Sequence, residues 1–575
     1  MPELQFKGKE FVYNHHLTVP FRPLEMQADK GIGAPRLDGN LIVHGDNLHA
    51  LKALLPIYAG KVDCFYIDPP YNTGKDDWSY SDRVDAPMIK EWVNDNPINS
   101  DDKLRHDKWL AMMWPRISLI RELLRPGGIL FVSIDDNEVA AATLMLRELL
   151  GDKSHIGTII WKNATDNNPT NVAVEHEYIL VFAAHREQVE PVWKSPFSEI
   201  KDLLVKVGAE FADAHPDGEV LQAAYTQWFR VHKAELWPLD RYKYIDSDGI
   251  YTGSQSVHNP GREGYRYDVI HPETGQPCKE PLMGYRFPKE TMDDLLAEGR
   301  IIFGDDHNKI IELKVYAKDY LDKLPSVIEI DGRRGATEIK KLFPESPQKF
   351  KNPKTYTLIE ILLQYVAGPD AIIFDSFAGS GTTAHAVMKL NQRDGGHRRF
   401  VLVEGETYAD EITAERVRRV QRGVANAKDE EVANGLGGEF TYCTLGDPIE
   451  MDAILAGESL PTFDALAGLL WHTATATPID PAAIAPAADI AEGLYRLGEH
   501  GGRTYWLAYR PDLDWLKSGA AALSLSIARA IAASAPGNHL VFAPAKFVSR
   551  ELLAREKLDV DYAPLPFALY RLETA

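Results

Sequence analysis

The stretch VDCFYIDPPYNTGKDD, residues 62–77, sets an acid, two prolines and a tyrosine directly behind an apolar run. Phe65, Tyr66 and Ile67 read as the end of a buried strand. Asp68 then falls where a parallel strand reaches its carboxyl edge. Pro69 and Pro70 remove two backbone donors and fix two φ angles, so neither helix nor ladder can continue. Pro70 also biases Pro69 toward an extended shape. The expected product is a stiff ledge that carries a carboxylate, bare carbonyls and the ring of Tyr71.

Outward from that ledge, short apolar runs alternate with helical patterns. NLIVHGDN (40–47) reads as a strand ending at Gly45-Asp46, and LHALKALLPIYAG as a helix closed by Gly60. HDKWLAMMWPRISLIRELLRPGG predicts an amphipathic helix stopped by Pro126-Gly127-Gly128. ILFVSIDD, GTIIWK and EYILVFAA read as further strands. This alternation predicts a parallel, doubly wound α/β sheet. From about Pro196 the texture changes to interspersed Trp, Tyr, Arg, Asp and Gly, with turn signals such as DSDG and NPGREG and weak helical periodicity. A basic stretch, DGRRGATEIKKLFPESPQKFKNPKTY, follows, and α/β texture then returns. Beyond Gly446 the composition shifts to Ala, Pro and Leu. The resulting division is 1–195, 196–335, 336–445 and 446–575, the last an additional C-terminal domain.

At 575 residues, several domains are expected. Apolar and charged fractions of 45% and 26% argue against wholesale disorder. A net charge of −21 argues against uniform coating of nucleic acid but leaves room for a local basic groove. The three cysteines, Cys64, Cys278 and Cys443, form no CxxC pair, which suits a reducing cytoplasm, and no metal site is expected. MPELQFKGKEFVYNHH lacks an apolar h-region, so no secretory signal is expected, and no apolar run is long enough to span a bilayer.

A second turn is informative. IIFDSFAGSGTTAHAV (372–387) reads as a strand, a tight turn and a helix start. Gly379 and Gly381 allow close backbone approach, and Thr382 and Thr383 are candidates to cap the helix. Free amides there suit a carboxylate or phosphate. No Lys precedes Thr382, which disfavours a P-loop for ATP or GTP. The next strand, FVLVE, ends at Glu404, where doubly wound nucleotide folds grip a ribose diol.

Together, DPPY (68–71) and FAGSGTT (377–383) resemble the two signatures of amino-methylating DNA methyltransferases. Here the catalytic signature precedes the cofactor signature, an order that resembles the β class. HGDNLHALKALL, DPPYNTG, LLRPGGILFVSIDDNE, EHEYILVFA, GRIIFGDD and NPKTYTLIEILL are similar to modification (Mod) subunits of type III restriction-modification systems. The resemblance covers 40–190 and 300–410 well and is weak through 196–290, as expected of a target-recognition domain. It implies a Rossmann-like methyltransferase core, doubly wound, mostly parallel and circularly permuted in motif order. It further implies S-adenosylmethionine as cofactor, adenine N6 in duplex DNA as acceptor, a homodimer and an ATP-dependent restriction partner. Asp68, where cytosine-N4 members more often carry Ser, favours adenine; cytosine N4 and a solitary or other phage-defence methyltransferase are the alternatives.

The adenine amine is a poor nucleophile because its lone pair is delocalised into the ring. Asp68 and the Pro69 carbonyl, accepting its two N–H groups, would localise that pair and stabilise the transition state more than the ground state. Pro70 holds the carbonyl in place, and Tyr71 offers a face for a flipped base. By the same resemblance, Phe377, Ala378, Gly379 and Gly381 cradle the methionine half and Thr382 lies near its carboxylate. Glu404 takes the ribose, Asp46 lies near the adenine ring or caps the first helix, and Lys354 approaches the methionine carboxylate. Trp161, Lys162, His176, Arg333, Arg334, Lys340 and Lys341 are candidate DNA contacts; packed or solvated roles are the alternatives for each.

Overall fold

The computed structural model describes residues 3–73, 104–164, 171–259, 261–346, 349–449 and 460–565. Gly74 of DPPYNTG and Pro260 of NPGREG lie outside the described residues. The described chain divides into two compact units, one of residues 1–191 and 325–575, the other of residues 192–324. Sequence texture had drawn those divisions at 196 and 335.

The first unit is built on a ten-stranded sheet. In chain order its strands are β1 (Leu24–Met26), β2 (Leu41–His44), β3 (Val62–Ile67), β4 (Leu124–Ile134), β5 (His155–Lys162), β6 (His176–Ala183), β7 (Val327–Glu329), β8 (Ile372–Asp375), β9 (Arg399–Glu404) and β10 (Thr441–Leu445). Across the sheet they run β1-β10-β2-β9-β8-β3-β4-β6-β5-β7. From β10 to β4 every pairing is parallel; β6 runs antiparallel to both neighbours, and β1 pairs antiparallel with β10. The expected α/β fold, doubly wound and mostly parallel, is the observed one. Strands β2, β3, β8 and β9 are near-continuous apolar runs because helices cover both faces. Phe65 and Phe374 are register partners on adjacent strands, ring centroids 5.1 Å apart, and each such fully buried ring contributes about 1.5–3 kcal/mol.

The register of β8 on β3 pairs Ile373 with Cys64 and Phe374 with Phe65. Both strands therefore end together at one carboxyl edge. Asp68-Pro69-Pro70-Tyr71 leaves one, and the Ser376–Gly381 turn leaves the next. Strand β9, beside β8, ends at Glu404. In open α/β sheets, ligands bind in the crevice outside such strand ends.

Two local expectations are corrected. The long helix ends at Leu123 rather than at Pro126-Gly127-Gly128, which lie inside β4. Gly127, at φ +78, accompanies a register shift in the β3–β4 pairing that absorbs the prolyl-glycine segment. That helix is also buried nearly all round, Lys108 and Arg116 included, rather than one-sided.

The second unit carries two long helices, Glu199–Ala214 and Gly218–His232, where periodicity had read as weak. Their inward residues, Leu204, Val207, Leu221, Tyr225 and Phe229, pack with Ile245 and Ile250. Exposed Val205, Val220 and Val231 blurred the stripe in the sequence. A four-stranded antiparallel sheet completes the unit. Residues beyond 460 form a separate five-stranded sheet within the first unit, preceded by helix Phe463–Thr475. That helix abuts helix Asn47–Tyr58, where Gly468 approaches Pro56 and the Ile479 amide donates to the Pro56 carbonyl at 2.9 Å. Among the described residues, no helix is long and apolar enough to cross a membrane.

Candidate functional site

Asp68 stands at the junction of two cavities. One, of about 550 Å³, is lined by Asp68, Pro69, Tyr71, Trp161, Asn163 and Glu177 on one side and by Gly332, Arg333, Ala336 and Asn352–Lys354 on the other. The second, of about 420 Å³, is lined by Tyr66, Asp68, Pro70, Asp375, Phe377–Ser380, Thr382, Thr383 and Glu404, with Phe350 and Tyr408 opposite. Asp68, Asn352 and Lys354 belong to both walls. The Pro70 carbonyl accepts from the Trp109 indole at 2.7 Å, which pins the ledge to the long helix.

The polar groups around Asp68 are closely paired. Lys354 Nζ lies 3.1 Å from Asp68 Oδ2 and 3.0 Å from Glu177 Oε2, and donates to the Tyr71 hydroxyl at 2.7 Å. The Tyr71 hydroxyl in turn donates to Glu177 Oε2 at 2.7 Å, and Asn163 Nδ2 donates to Glu177 Oε1 at 2.7 Å. Among the described residues, Asp68 Oδ1 is buried with no hydrogen-bond partner. Burial raises the Asp68 carboxyl above its usual range, and the Lys354 charge holds it back. Burial opposes the Lys354 charge, but Asp68 and Glu177 outweigh it and raise its pKa. The ammonium lies 4.8 Å from the centre of the Tyr71 ring and 5.6 Å from that of Trp161.

In the second cavity the glycine-rich turn is held from several sides. Gly379 and Gly381 take left-handed φ of +52 and +80. A Cβ on Gly381 would come within 2.9 Å of the Thr413 carbonyl, so that position admits only glycine without a shift. Glu404 Oε2 accepts from the Gly379 amide at 2.7 Å, and Oε1 from the Glu406 amide at 2.9 Å. Burial pushes the Glu404 carboxyl up to about 7, and Asp375, which accepts from Thr383 Oγ1 and the Phe377 amide, likewise to about 7. Gly381 is the N-cap of helix Thr382–Asp394, with no side-chain cap; Thr383 bonds Asp375 instead of capping, because Asp375 is buried and must be satisfied. Carboxylates, turn amides and the aromatic rings of Phe350 and Tyr408 make this cavity fit a molecule with a diol, a cationic centre and a flat ring. Asp68 lines both cavities, and its Oδ1 is buried without a hydrogen-bond partner among the described residues.

A family model described as DNA methylase matches residues 62–418, more than half of the sequence. The chain belongs to the DNA methylase family. Among curated relatives, the type III restriction-modification enzyme EcoP15I Mod subunit of Escherichia coli is 52% identical over 396 residues, 67% of this chain and 60% of the relative. The StyLTI Mod subunit of Salmonella typhimurium is 31% identical over 471 residues, covering 76% and 64%. The type II methyltransferase M.KpnI of Klebsiella pneumoniae is 27% identical over 388 residues, covering 63% and 79%. The chain thus spans less than two thirds of the length of the two Mod relatives.

In this methylase the sequence-predicted residues are spread among the two cavities, a helix cap and the surface. Lys354 directs its ammonium at the Asp68 carboxylate rather than at the glycine-rich turn, drawn there by two acids in a buried setting. Its main-chain carbonyl faces the turn instead, accepting from Thr382 Oγ1 at 3.2 Å. Asp46 caps helix Asn47–Tyr58 through Leu48 and His49 and lies 3.3 Å from Arg116; it is not among the residues lining the smaller cavity. Trp161 is buried and donates to the Ile330 carbonyl, yet lines the larger cavity. Lys162 pairs with Glu329, His176 packs edge-on to Tyr178, Arg333 pairs with Asp331 and Lys341 with Asp429; Arg334 and Lys340 are exposed on helix Arg333–Leu342.

Two residues escaped the sequence reading. Glu177 was passed over for its neighbour His176, though successive strand residues face opposite ways and only one can serve a given cavity. Arg416, on helix Glu415–Arg422, lies fully buried beneath the turn. It donates to Ser380 Oγ at 2.8 Å and Thr382 Oγ1 at 2.7 Å, and lies 3.3 Å from Glu338 Oε2. The signal was an arginine set among Val417 and Val420 on an apolar face, which demands a buried partner.

Proposed function

We propose that this methylase transfers a methyl group from S-adenosylmethionine to adenine N6 in duplex DNA, as the modification subunit of a type III restriction-modification system. One observation carries the reading: Asp68 forms a common wall between a roomy cavity beside Tyr71 and Trp161 and a second cavity built on the glycine-rich turn. S-adenosylmethionine, when bound, supplies a methyl group activated by a sulfonium. Glu404, Asp375 and the Phe377–Gly381 turn hold that molecule, with Phe350 and Tyr408 against its flat ring. Asp68 Oδ1 accepts one N–H of an extruded base, the Pro69 carbonyl accepts the other, and the Tyr71 ring stacks on the base plane. These acceptors gain strength as positive charge develops on nitrogen.

Asp68, rather than Ser, and the 52% identity to a Mod subunit favour adenine over cytosine N4. The 192–324 unit is the element we assign to sequence choice, through side chains in the major groove. A cytoplasmic homodimer with an ATP-dependent restriction subunit completes the proposal.

The test is incubation with labelled S-adenosylmethionine and mixed-sequence DNA, followed by nucleoside mass analysis and long-read mapping. N6-methyladenine at one short motif is the expected product. Asp68→Ala should lose at least about 100-fold in rate, as removal of one transition-state acceptor commonly does, while still binding S-adenosylmethionine. Methyl transfer that survives Asp68→Ala at the native rate would remove the mechanism.

A further inference from the structure

We infer that Lys354, ion-paired with Asp68 and Glu177 and bonded to Tyr71, is a positioning residue that holds one oxygen of the Asp68 carboxylate and leaves the other to receive the target amine. The inference rests on the methyl-transfer function proposed above and extends it to a residue that chemistry on the base never touches.

An ammonium has three N–H donors, and Lys354 meets three acceptors: Asp68 Oδ2, Glu177 Oε2 and the Tyr71 hydroxyl. Among the described residues, these three acceptors match the three donors in number. Asp68 Oδ1 is the opposite case, buried and without a partner among the described residues. A buried carboxylate oxygen left unpaired is costly unless a ligand completes it, and the amine of an extruded base is a donor of the right kind. Lys354 thus holds one end of the carboxylate, which fixes its orientation before the base arrives.

The backbone is shaped to deliver Lys354 there. Asn352 takes a left-handed φ of +52, which turns the chain just before Pro353 and Lys354. Gly335 lets that segment lie against helix Arg333–Leu342, since a Cβ at 335 would come within 2.0 Å of the Pro353 carbonyl. The Lys354 carbonyl is bonded to Thr382 on the other cavity's wall. One residue therefore ties the glycine-rich turn, by its main chain, to the catalytic acid, by its side chain.

Charge follows geometry. Among the described residues, the groups facing Asp68 are Lys354, Glu177, Tyr71, Tyr66 on β3 and Asp375 on β8. Arg333 lines the cavity, but its side chain is 89% exposed and paired with Asp331. Lys354 is thus the cation that compensates a cluster of acids. Burial raises Asp68, and Lys354 opposes that rise. Only the ionised carboxylate offers both oxygens as acceptors, so activity should fall on the acid side as Asp68 takes a proton. Without Lys354, Asp68 and Glu177 become two carboxylates sharing one site, and a proton is retained to higher pH.

The experiment is the pH–rate profile of DNA methylation by the full chain and three variants. Lys354→Met should move the acid limb up by about 1–3 pH units, a rate loss of about tenfold per unit at any pH below the new limb. Glu177→Gln removes a like charge and should move the limb the other way. The Lys354→Met/Glu177→Gln double variant should return toward wild type, a rescue that a purely structural role for Lys354 does not give. S-adenosylmethionine affinity, measured by calorimetry, should stay within about twofold across the set. A second readout needs no turnover: the carbonyl stretch of protonated Asp68, assigned in the infrared by difference against Asp68→Asn, should appear at higher pH in Lys354→Met than in wild type. An unmoved limb and an unmoved band, or a loss of cofactor affinity as the sole effect of Lys354→Met, overturns the inference. Failure of the wild-type protein to methylate DNA overturns the proposed function instead, and the infrared titration still decides the role of Lys354.

Discussion

Arg416→Leu tests whether the glycine-rich turn is held from below. Arg416 is fully buried, and its guanidinium serves Ser380, Thr382 and Glu338 together, with His385 Nδ1 at 3.3 Å. Burial pulls its pKa down to about 10 although Glu338 opposes the fall. Desolvation therefore outweighs the attraction of its partner, so the pair is held together by mutual need rather than by net gain. Removing Arg416 alone leaves Glu338, itself largely buried, with Thr355 and the Tyr356 amide as its hydrogen-bond donors among the described residues. Such an uncompensated buried charge costs about 3–5 kcal/mol. Replacing both members with apolar groups, as in Arg416→Leu/Glu338→Met, should recover most of that loss, leaving about 2 kcal/mol or less. Urea denaturation of the full chain reads the change, in the transition that S-adenosylmethionine displaces, because ligand linkage marks the unit that holds the ligand. Affinity for S-adenosylmethionine should fall by about tenfold or more in the single variant, since Ser380 and Thr382 each lose a charged hydrogen bond worth about 1.5–3 kcal/mol. A single variant that loses less than about 1 kcal/mol with unchanged affinity, or a double variant that costs the sum of its parts, would refute the reasoning.

Two further outcomes follow from the same cavity. Gly381→Ala puts a Cβ within 2.9 Å of the Thr413 carbonyl at φ +80, so it should cost about 1–2 kcal/mol in backbone strain alone and weaken S-adenosylmethionine binding, measured by calorimetry; unchanged affinity would contradict the turn's role. Glu404 and Asp375 sit near 7 in the folded chain, against about 4 when unfolded, so the folded state binds more protons between those values. Their contribution to stability therefore falls as pH rises from about 4 to about 7, by at most about 1.4 kcal/mol per unit for each group. Glu404→Gln should flatten the fall relative to wild type in melting curves across that range, and an identical pH slope would exclude Glu404 as a source.

The sheet was legible because parallel strands covered on both faces must be apolar runs, and the acids and glycines that end them punctuate the pattern. Asp68 and the glycine-rich turn were legible for the same reason: both lie at strand ends, where local chemistry shows. What was not legible lies across long sequence gaps. Lys354 reads locally as a helix-start lysine, and only folding brings it to Asp68 and Tyr71, 283 residues from the latter. The helices Glu199–Ala214 and Gly218–His232 were hidden because exposed valines sit among their buried positions, and a stripe of mixed faces carries no clear period. The Asp46 cap was legible as one of two roles, and Arg116, 70 residues on, decides how its second oxygen is used.

The order of the two signatures along the chain is immaterial to the chemistry, and the sheet shows why. Asp68 and the Ser376–Gly381 turn are more than 300 residues apart in sequence, yet β3 and β8 are neighbours in register. What the reaction needs is adjacency of two strand ends, and parallel pairing supplies it whichever segment comes first. The intervening chain can then carry a whole second unit, 192–324, without loosening the site, because the two edges are fixed by the sheet rather than by the connection. The one place where the connection does matter is its return: the Asn352–Lys354 turn brings the chain back into β8's helix layer and drops a cation onto the acid of the other half. An insertion placed in a loop from 192 to 324 should therefore be tolerated by the proposed methyl-transfer site, read as an unchanged methylation rate. A single residue added between Asn352 and Lys354 should not be, because it displaces the ammonium from Asp68 by about one residue's reach, read as a loss of methylation rate.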